Sequence, residues 1–155
     1  MRLCRSLAIL AVLTVARSVH ASESQSIFSA ADDARSCSGA AISRFFEWSV
    51  TESRKATYNA TNAEALAQAN EEAFLACPES FLRTLASADS RTQDAVSYYF
   101  GGFEIERTHC TLAQFEGVQD YIEILPRLQE RSRSSATCDQ AEQIGQGGLP
   151  GRSSQ

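Results

Sequence analysis

Residues 98–110 read YYFGGFEIERTHC and gather most of the side chains in this chain that could do chemistry. Glu106 and His109 stand in an E-x-x-H spacing, which on a helix puts both on one face. Carboxylate-bridged di-iron bundles use two such motifs and two further glutamates, whereas this chain has one motif. Its other histidine, His20, falls in the leader described below, so a two-histidine site within one processed chain is excluded. A zinc site from Glu104, Glu106, His109 and Cys110 would crowd four ligands into one short run with no distant ligand to anchor it. Cys110 beside His109 is not a nucleophile pair by adjacency, because such pairs are brought together by the fold. A disulfide at Cys110 would also remove the thiolate. The competing assignment is a scaffold corner, and the spacing favours it. There Gly101 and Gly102 end a helix, Phe103 and Ile105 pack inward, and Glu104, Glu106 and Arg107 face water. Cys110 is then half of a bridge.

No other chemistry stands out. The chain contains no P-loop, no dinucleotide fingerprint and no G-x-S-x-G elbow. Glu71–Glu72 and Asp32–Asp33 are adjacent acids, and adjacent positions diverge on a helix, so neither set suits paired acid–base work. No catalytic residue, metal or cofactor is implied. Asn59-Ala-Thr61 is a glycosylation sequon. Lys55 is the one lysine against thirteen arginines, which points to a GC-rich bacterial genome and makes the sequon a chance match.

The elements that would position this corner begin after a leader. Arg2 and Arg5 precede an apolar run from Leu7 to Ala16, and Val19 and Ala21 suit a cleavage site after Ala21. That is the pattern of a secretory signal peptide over residues 1–21. The run is shorter than the roughly 20 residues that span a bilayer, and no second stretch is long enough. A mitochondrial presequence is disfavoured because the run is apolar all round rather than amphipathic. Cleavage leaves 134 residues (155 − 21), and the loss of three arginines and no acids moves the formal charge from −5 to −8. Such acidity makes nucleic acid and anionic membrane surfaces poor candidates as partners and would suit a basic protein, although it also serves solubility. Residues 145–155 are rich in Gly and Ser and read as a flexible tail, leaving a single domain over 22–144.

Within that domain strand signals are few and helical spacing recurs. The pattern predicts a first helix over Gly39–Arg54, carrying Ile42, Phe45, Phe46 and Val50 on one face. A second opens at a Thr61/Glu64 capping box and carries Leu66, Ala69, Ala73, Phe74 and Cys77. Pro78 starts a third, PESFLRTLAS. A fourth opens at Ser90/Gln93 and ends at Gly101–Gly102, and a fifth opens at Thr111/Gln114 and runs through Val118 and Ile122 to Leu125, with Gly117 as a point that can bend or split it. A short sixth reads PRLQERS. The expected fold is all-α: a small bundle of five or six short helices tied by two disulfides.

Removing Cys4 with the leader leaves Cys37, Cys77, Cys110 and Cys138, an even number that argues for two bridges. Their spacings of 40, 33 and 28 residues match no zinc pattern. If the third and fourth helices form an antiparallel hairpin, Cys77 and Cys110 meet at its open end. Cys37–Cys138 then ties the ends of the domain.

The aromatic residues supply the remaining functional signal. Trp48 widens the arc already covered by Phe45 and Phe46, and a helix cannot turn Tyr98, Tyr99 and Phe100 all inward. Trp48, Tyr98, Tyr99 and Phe100 are therefore the candidate binding residues, since Tyr and Trp are common interface anchors. The expected protein is a secreted or periplasmic, non-enzymatic helical domain that binds another macromolecule. Inhibitor and immunity-type proteins of the cell envelope share that general build. The alternative is a carrier holding a small apolar ligand among Phe45, Phe46, Phe74 and Phe81. The oligomeric state is not legible.

Overall fold

A computed structural model describes residues 25–135 and Cys138. The expected leader (1–21) and tail (145–155) lie outside these residues. Among the described residues every regular element is helical, as the periodicity predicts. Helix α1 covers residues 25–34, followed by α2 (Gly39–Ser53), α3 (Ala60–Ala76), α4 (Pro78–Ala86), α5 (Ser90–Tyr98) and α6 (Ile105–Ala113). A 3-10 turn (Gln119–Tyr121) and α7 (Leu125–Arg131) complete the bundle.

Helix α2 forms the centre, touching α3, α4 and α5 through the buried face of Ile42, Phe45, Phe46 and Val50. A connected set of phenylalanine rings runs through the otherwise mainly aliphatic interior. The Phe46 ring meets the edge of Phe81 at 5.0 Å between centroids, Phe74 meets Phe81 at 5.7 Å, and Phe100 meets Phe74 at 5.6 Å. Offset and edge-on ring pairs of this kind add to the burial of their large apolar area. Phe45, Phe46, Phe74 and Phe81 are the side chains a carrier would need as cavity walls, and here they pack on one another and on the core.

Helix α1 was not expected from the sequence. Its Ile27, Ala31 and Ala34 are buried at i, i+4 and i+7, a stripe too short and too alanine-rich to stand out. The caps are set slightly earlier than the predicted boxes. Asn59, rather than Thr61, accepts the Asn62 backbone N–H at the start of α3. Asp89, rather than Ser90, accepts that of Thr92 at the start of α5. Both are Asx residues, whose short side-chain oxygen reaches the free N–H groups of the first turn.

The largest departure concerns the expected fifth helix. Thr111 does not open a helix; it lies near the end of α6, and its hydroxyl donates to the Arg107 carbonyl at 2.8 Å. The chain then turns through Gly117 at φ +82°. The expected apolar face is cut, and Val118 and Ile122 are left exposed. The predicted end of the fourth helix also moves. Helix α5 stops at Tyr98, and Gly101 (φ +81°) and Gly102 (φ +107°) shape the link that follows. A Cβ on Gly101 would stand 3.0 Å from the Arg131 carbonyl oxygen, so this position demands glycine for space as well as for φ.

The cysteine pairing is corrected. Cys37 bridges Cys77 and Cys110 bridges Cys138, with Cα separations of 5.3 and 5.1 Å. Cys77–Cys110 and Cys37–Cys138 do not form. The reason lies in α6, which is held beside residue 71 of α3. That position is about 9 Å along the helix from Cys77. Cys77 instead meets Cys37, which ends the turn after α1 with φ +60°.

Candidate functional site

The corner at residues 98–110 is built from beneath by two consecutive residues of α3. Asn70 is fully buried, and its Nδ2 lies 2.7 Å from the Tyr99 carbonyl, 2.9 Å from that of Leu66 and 3.0 Å from Ser49 Oγ. Glu71 is also fully buried, with each carboxylate oxygen taking one donor. Oε1 accepts from the Thr108 hydroxyl at 2.7 Å, and Oε2 accepts from the Phe103 backbone N–H at 2.9 Å. Asn70 therefore holds the end of α5, and Glu71 holds the start of α6. Gly101 and Gly102 make the turn between them. A buried carboxylate is tolerated because its oxygens are hydrogen-bonded. Glu72 points elsewhere and pairs with Arg35, as expected of adjacent helical positions.

Above this clamp the corner divides into buried and exposed parts. Thr108 and Cys110 are buried, while Glu104, Glu106 and Arg107 are exposed as expected. Phe103 and Ile105, expected to pack inward, are instead 51 % and 37 % exposed. Glu71 binds Phe103 through the backbone and leaves its ring outside. Cys110 is committed to Cys138 and offers no thiolate. His109 is half-buried, and its Nδ1 meets no hydrogen-bond partner. Among the described residues no group of three or more His, Cys, Asp or Glu converges in a way that could hold a metal ion.

The four aromatic binding candidates separate. Tyr99 and Phe100 are buried in the core, so they are corrected from surface anchors to core residues. Burial, reinforced by Glu52 and the neighbouring Tyr98 and Tyr58, lifts the Tyr99 phenol above its ordinary pKa. Trp48 is half-buried and packs against the core from outside. Tyr98 alone is broadly open, at 54 %. Its ring is fixed by an edge contact with Tyr99 at 4.9 Å, and the Arg131 guanidinium lies over it at 5.0 Å.

Tyr98 sits on a seam between α5 and α7. Arg127 pairs with Asp94 one turn before Arg131 covers Tyr98, so the two helices run side by side in the same direction. This seam was missed in the sequence because its residues are polar and its two halves lie about thirty positions apart. Asn70 carried a readable signal, since it falls within the apolar stripe of Leu66, Ala73 and Phe74.

Among the described residues no helix is long and apolar enough to cross a membrane, and the two bridges fit an oxidising environment. No protein-family model, curated protein or solved structure matches this chain.

Proposed function

We propose that this chain is a secreted or periplasmic, non-enzymatic helical domain that binds another protein through the surface around Tyr98. The observation that carries the reading is the presentation of Tyr98. A large aromatic ring is 54 % exposed yet held in one place by Tyr99 and Arg131. Fixed Tyr and Arg side chains lose little entropy on contact and are frequent hot spots at interfaces. Phe103 and Ile105 are exposed as well, and Glu71 holds the Phe103 backbone from below. The leader read from residues 1–21 supports export, and the bridges support an oxidising destination. The bridged state of Cys110 supports a scaffold role for the corner.

A photo-crosslinking amino acid at position 98 of the exported chain tests this. The expected result is a discrete cross-linked protein that is absent when the probe stands at Arg44, an exposed position on α2. No product at 98, or the same product at both positions, would sink the reading.

A further inference from the structure

A cavity opens at the start of the α5–α7 seam, beside the 3-10 turn, with a volume of about 280 Å³. Ala86 and Ile124 form part of its apolar lining, and Gln93, Gln119, Asp120 and Glu123 supply polar groups. The two carboxylates can only accept. Gln93 Nε2 already donates to the carbonyls of Ala86 and Ala88, at 3.2 and 3.1 Å, which leaves its Oε1 open to a partner. Both charged residues lining the cavity are acids, and the neighbouring cation Arg127 is paired with Asp94. Ile122 lines the cavity and is 61 % exposed, and Val118, four residues before it, is 39 % exposed. The site thus asks for positive charge and for apolar cover together. A free amine would supply only the charge.

We infer that this end of the seam receives a basic segment of a partner protein. One guanidinium or ammonium group enters between Gln93, Asp120 and Glu123, and an apolar neighbour covers Ile122. The inference rests on the reading that Tyr98 belongs to a protein-binding face, and it adds the partner's chemistry.

The test titrates the isotope-labelled exported chain with acetyl-Leu-Arg-Leu-Arg-amide at low salt, following backbone amides by NMR. Acetyl-Leu-Gln-Leu-Gln-amide is the neutral control. The arginine peptide is expected to shift the amides of Gln93, Asp120 and Glu123, and the control is not. In the Asp120→Asn/Glu123→Gln variant, with its spectrum otherwise unchanged, affinity for the arginine peptide falls about fivefold, as expected for two exposed charges. Shifts spread instead over unrelated acids such as Asp32 or Glu104 would overturn the inference, as would unaltered affinity in that variant. A cross-link at position 98 that persists while the peptide leaves the cavity untouched also overturns it, and leaves the protein-binding reading standing. Peptide shifts confined to the cavity, with no cross-link at 98, would support the cavity and sink the wider reading.

Discussion

Phe81 and Glu71 are equally shut off from solvent, yet they hold the molecule in different ways. Phe81 sits among rings from two helices and the α5–α6 link, and its contacts with Phe46, Phe74 and Phe100 share the load. Glu71 works alone. One carboxylate supplies the acceptors for both the Phe103 N–H and the Thr108 hydroxyl. The aromatic centre gains stability from area, which is non-directional and roughly additive. The clamp gains position, because removing its carboxylate leaves two donors unpaired, one of them the buried Thr108 hydroxyl. The centre makes a bundle; the clamp decides where the exposed corner of that bundle stands.

The comparison can be tested at its extremes. Phe81→Ala should cost the most, about 3–5 kcal/mol, by leaving a cavity among the rings. The check is a shift of the urea midpoint with an unchanged slope. Glu71→Leu should come next, at about 2–4 kcal/mol, since it leaves the Phe103 and Thr108 donors unpaired. Its signature should be local. Amide exchange at Phe103 should accelerate by more than the global loss accounts for, whereas Phe81→Ala should accelerate exchange throughout the core. A neutral Glu71→Leu would erase the distinction, because buried polar contacts can sometimes be replaced by apolar packing at no cost.

Smaller effects sharpen the same contrast through pH. The Thr92 backbone N–H holds the Asp89 carboxylate below its ordinary pKa, with help from the Thr92 hydroxyl and Arg91. The stability it contributes is therefore complete above the ordinary carboxylate value of about 4 and is lost as pH falls through its folded value. Asp89→Asn keeps a capping oxygen and should flatten this acid limb in thermal melts. Tyr99 behaves in the opposite sense. Its raised phenol pKa contributes stability that is complete below about 10 and is lost as pH rises through the folded value. Tyr99→Phe should remove that alkaline limb. Smallest of all for stability, Tyr98→Ala should cost under about 1 kcal/mol, since its ring is half open and its cation contact is exposed. If it proves as costly as Phe81→Ala, Tyr98 is core and not a presented anchor.

The two regions were not equally legible in the sequence. Ile42, Phe45, Phe46, Phe81 and Leu85 announce the centre through helical spacing, and all are buried as expected. The bundle class follows from such residues alone. The corner depends on pairings that span more than thirty residues, such as Glu71 with Phe103 and Thr108, and no local pattern encodes them. That distance explains the wrong cysteine pairing. Without the grip of Glu71, nothing in the sequence places α6 beside the middle of α3 rather than its end. The same blindness put Phe103 and Ile105 inside, since apolar type alone does not show that the backbone is held while the side chain is turned out. Val118 and Ile122 failed for a different reason. Their spacing continues a helix that stops at Ala113, and the turn through Gly117 carries the chain off that face.

Asn70 and Glu71 lock the 98–110 corner from below, and Cys110 is bound in a bridge to Cys138. Disulfide mapping of the exported chain, digested with trypsin without reductant, tests it most directly, because the four cysteines fall in four different tryptic peptides. The expected result links the peptide at 36–44 to that at 56–83, and the peptide at 108–127 to that at 134–152, with no free thiol. A free thiol at Cys110, or a link between Cys77 and Cys110, would contradict it.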